Sequence, residues 1–354
     1  MQFVLLGMAA VFPLLLLHKS KTAGVVLLAI TLIVVSTIPD MLDIANYSYR
    51  YNLSLSSEDM AVGFNFISNV FHRFGIGFEA FHLFCVFLSS AIILICFSLL
   101  NQYGACAFAL FVVYPFMFHV GQIRTGLATA FIIAALTVLF VARKHRGFLF
   151  ALFVGIGASF HYAFLVFALV WLIKGKDVDR RKSLRLALLL TFILFVFVST
   201  GWFDRFIQAI SLVYARAVDW SILYEGVNLP TFCYQLVFHA FSLYLSSFSF
   251  RRLSQINDSK RGGNLDRFLL LERINNYSLI LMPVYFINPT VFRLVRVIFL
   301  MNYPLYAEVI GCEFEKRNIS ILPLFITSFV CLLFFVDYCN GQSGNLVILT
   351  SWIY

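Results

Sequence analysis

Charge is what this sequence has least of. Of its 354 residues only 12% are Asp, Glu, Lys or Arg, about half the ~25% found in a soluble domain. With 61% hydrophobic residues and 42 phenylalanines, a water-soluble fold could not hide the apolar surface, so the chain sits in lipid. Chemical signatures are also missing. There is no P-loop, no GxSxG and no His/Cys cluster at metal spacing. An ATP-driven pump therefore gains no support. The seven cysteines (85, 96, 106, 233, 312, 331 and 339) form no CxxC and read as small core hydrophobes. Low-complexity segments, a soluble domain, a domain boundary and a convincing internal repeat are absent too. Residues 1–354 thus read as a single transmembrane domain.

What is present is a series of continuous apolar runs. They lie near 1–17, 23–38, 78–100, 103–119, 124–142, 147–173, 184–200, 232–249, 268–287, 291–311 and 319–338. Barrel strands would be short and alternating, whereas runs of ~17–20 residues suit helices crossing ~30 Å of hydrocarbon. The expected fold is all-α and polytopic. The first run has no basic n-region and no clear cleavage site, and reads as a retained helix rather than a signal peptide.

The net charge of +9 is mostly topology. Five connections, at 18–21, 143–146, 174–185, 251–267 and 315–317, hold 18 of the 26 Lys and Arg residues and read as cytoplasmic by the positive-inside rule. Two of them flank the run 147–173, whose middle reads "GIGASFHY". A broken hairpin of two short helices, about 147–158 and 161–173, would return the chain to the same side, with His161 at its tip. Broken backbone at membrane depth survives only against protein or a wet cavity. The result is about twelve membrane segments, both termini outside, and two longer outer loops at 39–77 and 201–231.

The eight basic residues outside the five loops are all arginine: Arg50, Arg73, Arg124, Arg205, Arg216, Arg273, Arg293 and Arg296. Arg273 falls near a cytoplasmic helix start, and the other seven map to the outer half. Arginine offers a planar fork of donors matched to phosphate and carboxylate oxygens. Arg124 follows Gln122 inside an apolar run, where a cation at the bilayer centre costs ~2.5–3.5 kcal/mol. Arg293 and Arg296 are three apart and share a helical face. A cluster of outer arginines suits a lipid pyrophosphate; pairing with carboxylates or snorkelling to headgroups is the plainer alternative. In the first outer loop, Asp40 and Asp43 precede Tyr47, Tyr49 and Tyr51. Acids that accept hydroxyl protons beside aromatic platforms suit a sugar site, although Asp after Pro also makes a good turn. The later "FNFISNVFHRFGIGFEAFH" reads as an amphipathic segment on the membrane. Loop 201–231 adds Arg216 among acids and tyrosines.

An outer loop with "D…Y.Y.YN", then "GFEAFHLF", "YPFMFHVGQIRTGLATA", a basic turn and "ASFHYAFLVF" resembles the EpsG family, grouped with Wzy-type O-antigen and capsule polymerases. The resemblance implies a multi-pass polymerase of the bacterial inner (cytoplasmic) membrane. It would join undecaprenyl-pyrophosphate-linked oligosaccharide repeat units at the periplasmic face, without metal, nucleotide or other cofactor. The implied partners are that lipid-linked oligosaccharide, the bilayer and a chain-length regulator protein, with no nucleic acid. On this basis Arg124, Arg293 and Arg296 are assigned to the pyrophosphates, with Gln122 orienting Arg124 and Tyr47, Tyr51 and Arg216 contacting substrate. Asp40 or Asp43 is the first choice of base and His161 the second. A flippase or other transporter, and a glycan ligase with the same donor, are the alternatives. A membrane O-acyltransferase is weaker, since His119, His161 and His239 lie in no clear acyl-transfer motif.

Overall fold

The computed structural model describes residues 19–36, 42–52, 62–142, 144–173, 180–202, 229–256, 262–285, 291–316 and 320–341. Every regular element among them is helical. They are α1 (Lys21–Val35), α2 (Leu42–Asn52), α3 (Val62–Arg73), α4 (Phe78–Leu100), α5 (Gly104–Val113), α6 (Phe116–Gly121), α7 (Ile123–Val141) and α8 (Arg146–Phe160). A 3-10 helix over Tyr162–Leu169 follows. Then come α9 (Val170–Ile173), α10 (Arg180–Ser199), α11 (Leu229–Ile256), α12 (Gly262–Ser278), α13 (Met282–Tyr285), α14 (Phe292–Lys316) and α15 (Leu322–Gly341).

Among the described residues, four helices are long and apolar enough to cross a membrane: Phe78–Leu100, Ile123–Val141, Arg181–Ser199 and Phe292–Glu315. Five shorter apolar helices accompany them, at Lys21–Val35, Gly104–Val113, Arg146–Phe160, Tyr162–Ile173 and Leu322–Leu333. The described residues thus form nine such helices, long and short together, where about twelve segments were expected over the whole chain. The run 103–119 divides at Tyr114–Pro115, because proline has no N–H to continue the ladder, giving the short α5 and α6. The run 268–287 likewise divides between α12 and α13. The expected hairpin break falls at His161, which is extended (φ −157°, ψ 108°) between α8 and the 3-10 helix. The two glycines before it stay helical. Gly157 serves packing instead: a Cβ there would lie 3.2 Å from the Ala128 carbonyl and 3.1 Å from Ile132, so its absence lets α7 and α8 close.

The chain forms two compact units, residues 1–169 with 303–354, and residues 170–302. In the first unit, α7 is the central helix, with α4 and α8 against it. One end of this unit is fastened by Lys19, which pairs with Glu315. The Tyr103 hydroxyl donates to the same carboxylate at 2.7 Å. Its ring lies on Gly311, where a Cβ would come within 2.4 Å of ring atoms. Glu313 accepts from the backbone and hydroxyl of Ser320 and so fixes the start of α15.

The second unit has a different interior. Gln235, His239, Ser242, Ser246 and Ser249 follow helical spacing along α11, and all are buried. Asn275 and Asn302 exchange amide hydrogen bonds of 2.7 and 3.0 Å beside Ser246. His239 bridges Tyr285 and Ser278 at 2.8 and 2.7 Å. Because Ser278 donates to the Asn275 carbonyl, its hydroxyl oxygen accepts from His239 Nε2 and Tyr285 donates to Nδ1.

Candidate functional site

The helix interruption between the apolar runs 103–119 and 124–142 generates the site. α6 ends at Gly121, Gln122 leaves helical geometry (φ −106°, ψ 65°), and α7 starts at Ile123. The first bond of the new helix runs from Gly126 N–H to the Gln122 carbonyl at 2.8 Å. The earlier N–H groups have no carbonyl within α7 to bond, so this end carries partial positive charge. Arg124 stands in that first turn, half-buried, and adds a full cation.

Arg124 pairs with no carboxylate among the described side chains. Its Nε donates to the Tyr47 hydroxyl at 3.3 Å, and its guanidinium lies 5.8 Å from the centre of that ring. Tyr47 comes from α2. A guanidinium held through Nε keeps its two terminal nitrogens for a second, bidentate partner. The orienting contact expected from Gln122 is therefore made by Tyr47. The Gln122 Oε1 is buried and has no hydrogen-bond partner among the described residues.

His161 reaches the same level from α8. Packing of Gly157 on Ala128 fixes the antiparallel register of α7 and α8. Four residues further toward this end on each helix stand Arg124 and His161. The ring of His161 lies 5.3 Å from that of Phe164. The segment of Tyr47 is anchored across the same end. Tyr47 packs on Phe64 of α3 at 5.6 Å, and Gly63 fits against Ser159, two residues before His161.

Other expected residues are placed differently. Tyr51 is a packing residue: its ring stacks on Phe81 at 5.0 Å and its hydroxyl donates to the Ile76 carbonyl at 2.7 Å. Only 5% of it is exposed, so it offers no face to a sugar. Asp40 and Arg216 lie outside the described residues. So does the side chain of Asp43, whose backbone is one turn before Tyr47 in α2. Arg293 and Arg296 belong to the second unit, in the first two turns of α14, with the Arg296 guanidinium 5.9 Å from the Phe292 ring centre. The amphipathic segment expected around 64–82 becomes α3, with Phe64 buried and Phe66 exposed, and then the first turns of α4.

Sequence reasoning missed His82. This buried histidine of α4 reaches the Val120 carbonyl at 2.8 Å, on the element that leads into the break. The one signal was a lone imidazole within "GFEAFHLF".

A family model described as the EpsG family matches residues 22–348, and the chain belongs to that family, one of Wzy-like polysaccharide polymerases. No curated protein and no solved structure matches the chain.

Proposed function

We propose, from membership of this polymerase family, that the chain is a glycosyltransferase of the bacterial inner membrane. It joins oligosaccharide repeat units carried on undecaprenyl pyrophosphate at the periplasmic face. A hydroxyl of the acceptor unit attacks the anomeric carbon of the donor glycan. The new glycosidic C–O bond forms as the C–O bond to pyrophosphate breaks. Undecaprenyl pyrophosphate leaves with the bonding pair, and the hydroxyl proton passes to a base.

The observation that carries this reading is Arg124: a half-buried guanidinium at a helix start, held through Nε by Tyr47, facing no carboxylate among the described side chains. Preorganised donors in a low-dielectric site stabilise charge that develops on a leaving group. On this reading Asp40, Asp43 or His161, the last level with Arg124, accepts the acceptor's proton. Arg293 and Arg296, at the start of α14, offer the same chemistry to the phosphates of a second lipid-linked unit.

The test is Arg124→Lys. Lysine anchors a helix end as well as arginine does but cannot grip two oxygens at once. A lost bidentate contact to a charged group costs roughly 1.5–3 kcal/mol, or about 10- to 150-fold in rate. Glycan chain length on a silver-stained gel, normalised to membrane abundance by immunoblot, should fall sharply. Wild-type ladders from Arg124→Lys would make Arg124 an anchor and end this reading of its role.

A further inference from the structure

An α-helix that breaks inside the membrane leaves carbonyls without partners, and each must be satisfied by protein or water. In an unbroken helix the Val120 carbonyl would accept the N–H of Arg124, four residues on. Here it accepts from His82 of α4, 38 residues away in sequence, at 2.8 Å. A carbonyl only accepts, so Nε2 of His82 carries the hydrogen. His82 is itself fixed: it is buried, and its ring stacks on Phe78 at 5.9 Å with an interplanar angle of 11°. Phe78 in turn packs on Tyr51, tying the pair to the outer segment that also carries Tyr47.

We propose that His82 is a positioning residue for Arg124. By occupying the Val120 carbonyl it keeps α6 and α7 as two helices, holds the Arg124 N–H at an open helix start, and sets the direction in which the guanidinium meets Tyr47. Without the imidazole, the Arg124 N–H takes the vacant carbonyl, the break closes toward a continuous helix, and Arg124 rotates about the helix axis away from Tyr47. The break is thus maintained in part by one long-range hydrogen bond. Gly126 supports it from the other side, because its Cα lies against the His119 backbone, where a Cβ would come within 3.1 Å.

The functional part of this inference rests on the polymerase reading, whereas the geometric part does not, and the test separates them. Wild type, His82→Leu, His82→Gln and Arg124→Ala are purified in nanodiscs, and deuterium uptake is followed in a peptide covering residues 119–127. The same variants are scored in cells for glycan chain length at equal membrane abundance. His82→Leu, close in volume but without a donor, should slow exchange of the Arg124 amide about five- to tenfold, the factor that one backbone hydrogen bond supplies. It should shorten the glycan by a comparable reduction in polymerisation rate. His82→Gln places an amide N–H where Nε2 stood and should restore both. A merely structural histidine would leave the exchange at 123–125 unslowed or faster, as local unfolding does.

Should His82→Leu fail to accumulate, His82→Gln decides alone. Wild-type exchange and wild-type glycan support the proposal, and lost polymerisation with unchanged exchange overturns it. Normal polymerisation and exchange in an abundant His82→Leu, with Arg124→Ala inactive, also overturns it and leaves the polymerase role of Arg124 standing. Slowed exchange in His82→Leu with a fully active Arg124→Ala supports the geometric coupling and removes the functional one.

Discussion

Helix α7 and the Arg181–Ser199 span of α10 both contain 19 residues, and both are apolar enough to cross a membrane. Yet 78% of an 18-residue stretch of α7 is buried against protein, compared with 11% of one in α10. Residue size accounts for the difference. α7 carries Gly126, Ala128, Ala130, Ala134 and Ala135, interspersed with Thr125, Thr129 and Thr137, and every one of these is buried. α10 carries Leu184, Leu186, Leu188, Leu189, Phe192 and Phe195, all exposed, with a narrow packed edge at Ser183 and Ala187. Lipid chains are as apolar as leucine, so apolarity places a helix in the membrane without choosing its neighbours. Small side chains let backbones approach, and that decides which helix becomes core. α7, which carries Arg124, is thereby buried along most of its length.

The largest expected effect comes from breaking the packed member of this pair. Leu127, one turn from Arg124, is fully buried. Leu127→Ala should destabilise the first unit by about 2–5 kcal/mol, the usual penalty for a buried leucine that leaves a cavity. Thermal unfolding in nanodiscs, followed by intrinsic fluorescence, reads it. A loss below about 1 kcal/mol would show that α7 is not the tightly packed centre of its unit.

A smaller effect is expected where the second unit is held by polar contacts instead. Asn275 and Asn302 satisfy each other, so Asn302→Leu strands an amide and should cost about 0.6–1.7 kcal/mol, the range for hydrogen bonds between membrane helices. The Asn275→Leu/Asn302→Leu double variant removes both polar groups together and should cost less than the sum of the single variants. Strict additivity in the same unfolding assay would mean that the two amides do not act as a pair.

These contrasts also mark what the sequence could convey. Runs such as 78–100 and 124–142 agree with α4 and α7 within a residue, because a long apolar stretch has few ways to fold in lipid. The interruption near His161 was legible for the same reason, since two basic loops could not lie on opposite sides of one long run. The packing role of Gly157 was not legible, because sequence alone does not show which glycine admits a neighbouring helix. Arg124 was conspicuous as a lone cation. Its partner was not: Tyr47 is 77 residues away and Gln122 only two, and local proximity favoured the wrong one. The contact of His82 with Val120 is equally non-local. The polar stripe on α11 was available, because Gln235, His239, Ser242, Ser246 and Ser249 have helical period, but it was submerged in an otherwise apolar run.

The smallest effect should come from the exposed member of the opening pair. Phe192 of α10 is 65% exposed. In a soluble protein such a ring would seek a core, and truncating a buried phenylalanine there costs about 3–5 kcal/mol. In lipid the ring meets hydrocarbon whether the protein is folded or not, and its removal exchanges one apolar contact for another. Phe192→Ala should therefore change unfolding stability by less than about 0.5 kcal/mol, as surface substitutions do. Insertion should hold as well, since each apolar residue contributes only ~0.3–0.6 kcal/mol at a helix centre and the neighbouring leucines and phenylalanines remain. The measurement is the Tm in nanodiscs beside Leu127→Ala, with abundance by immunoblot. A loss of several kcal/mol would place a protein surface, not lipid, against the outer face of α10. The low burial of that helix would then record a missing neighbour, and side-chain size would no longer explain the difference between the two helices.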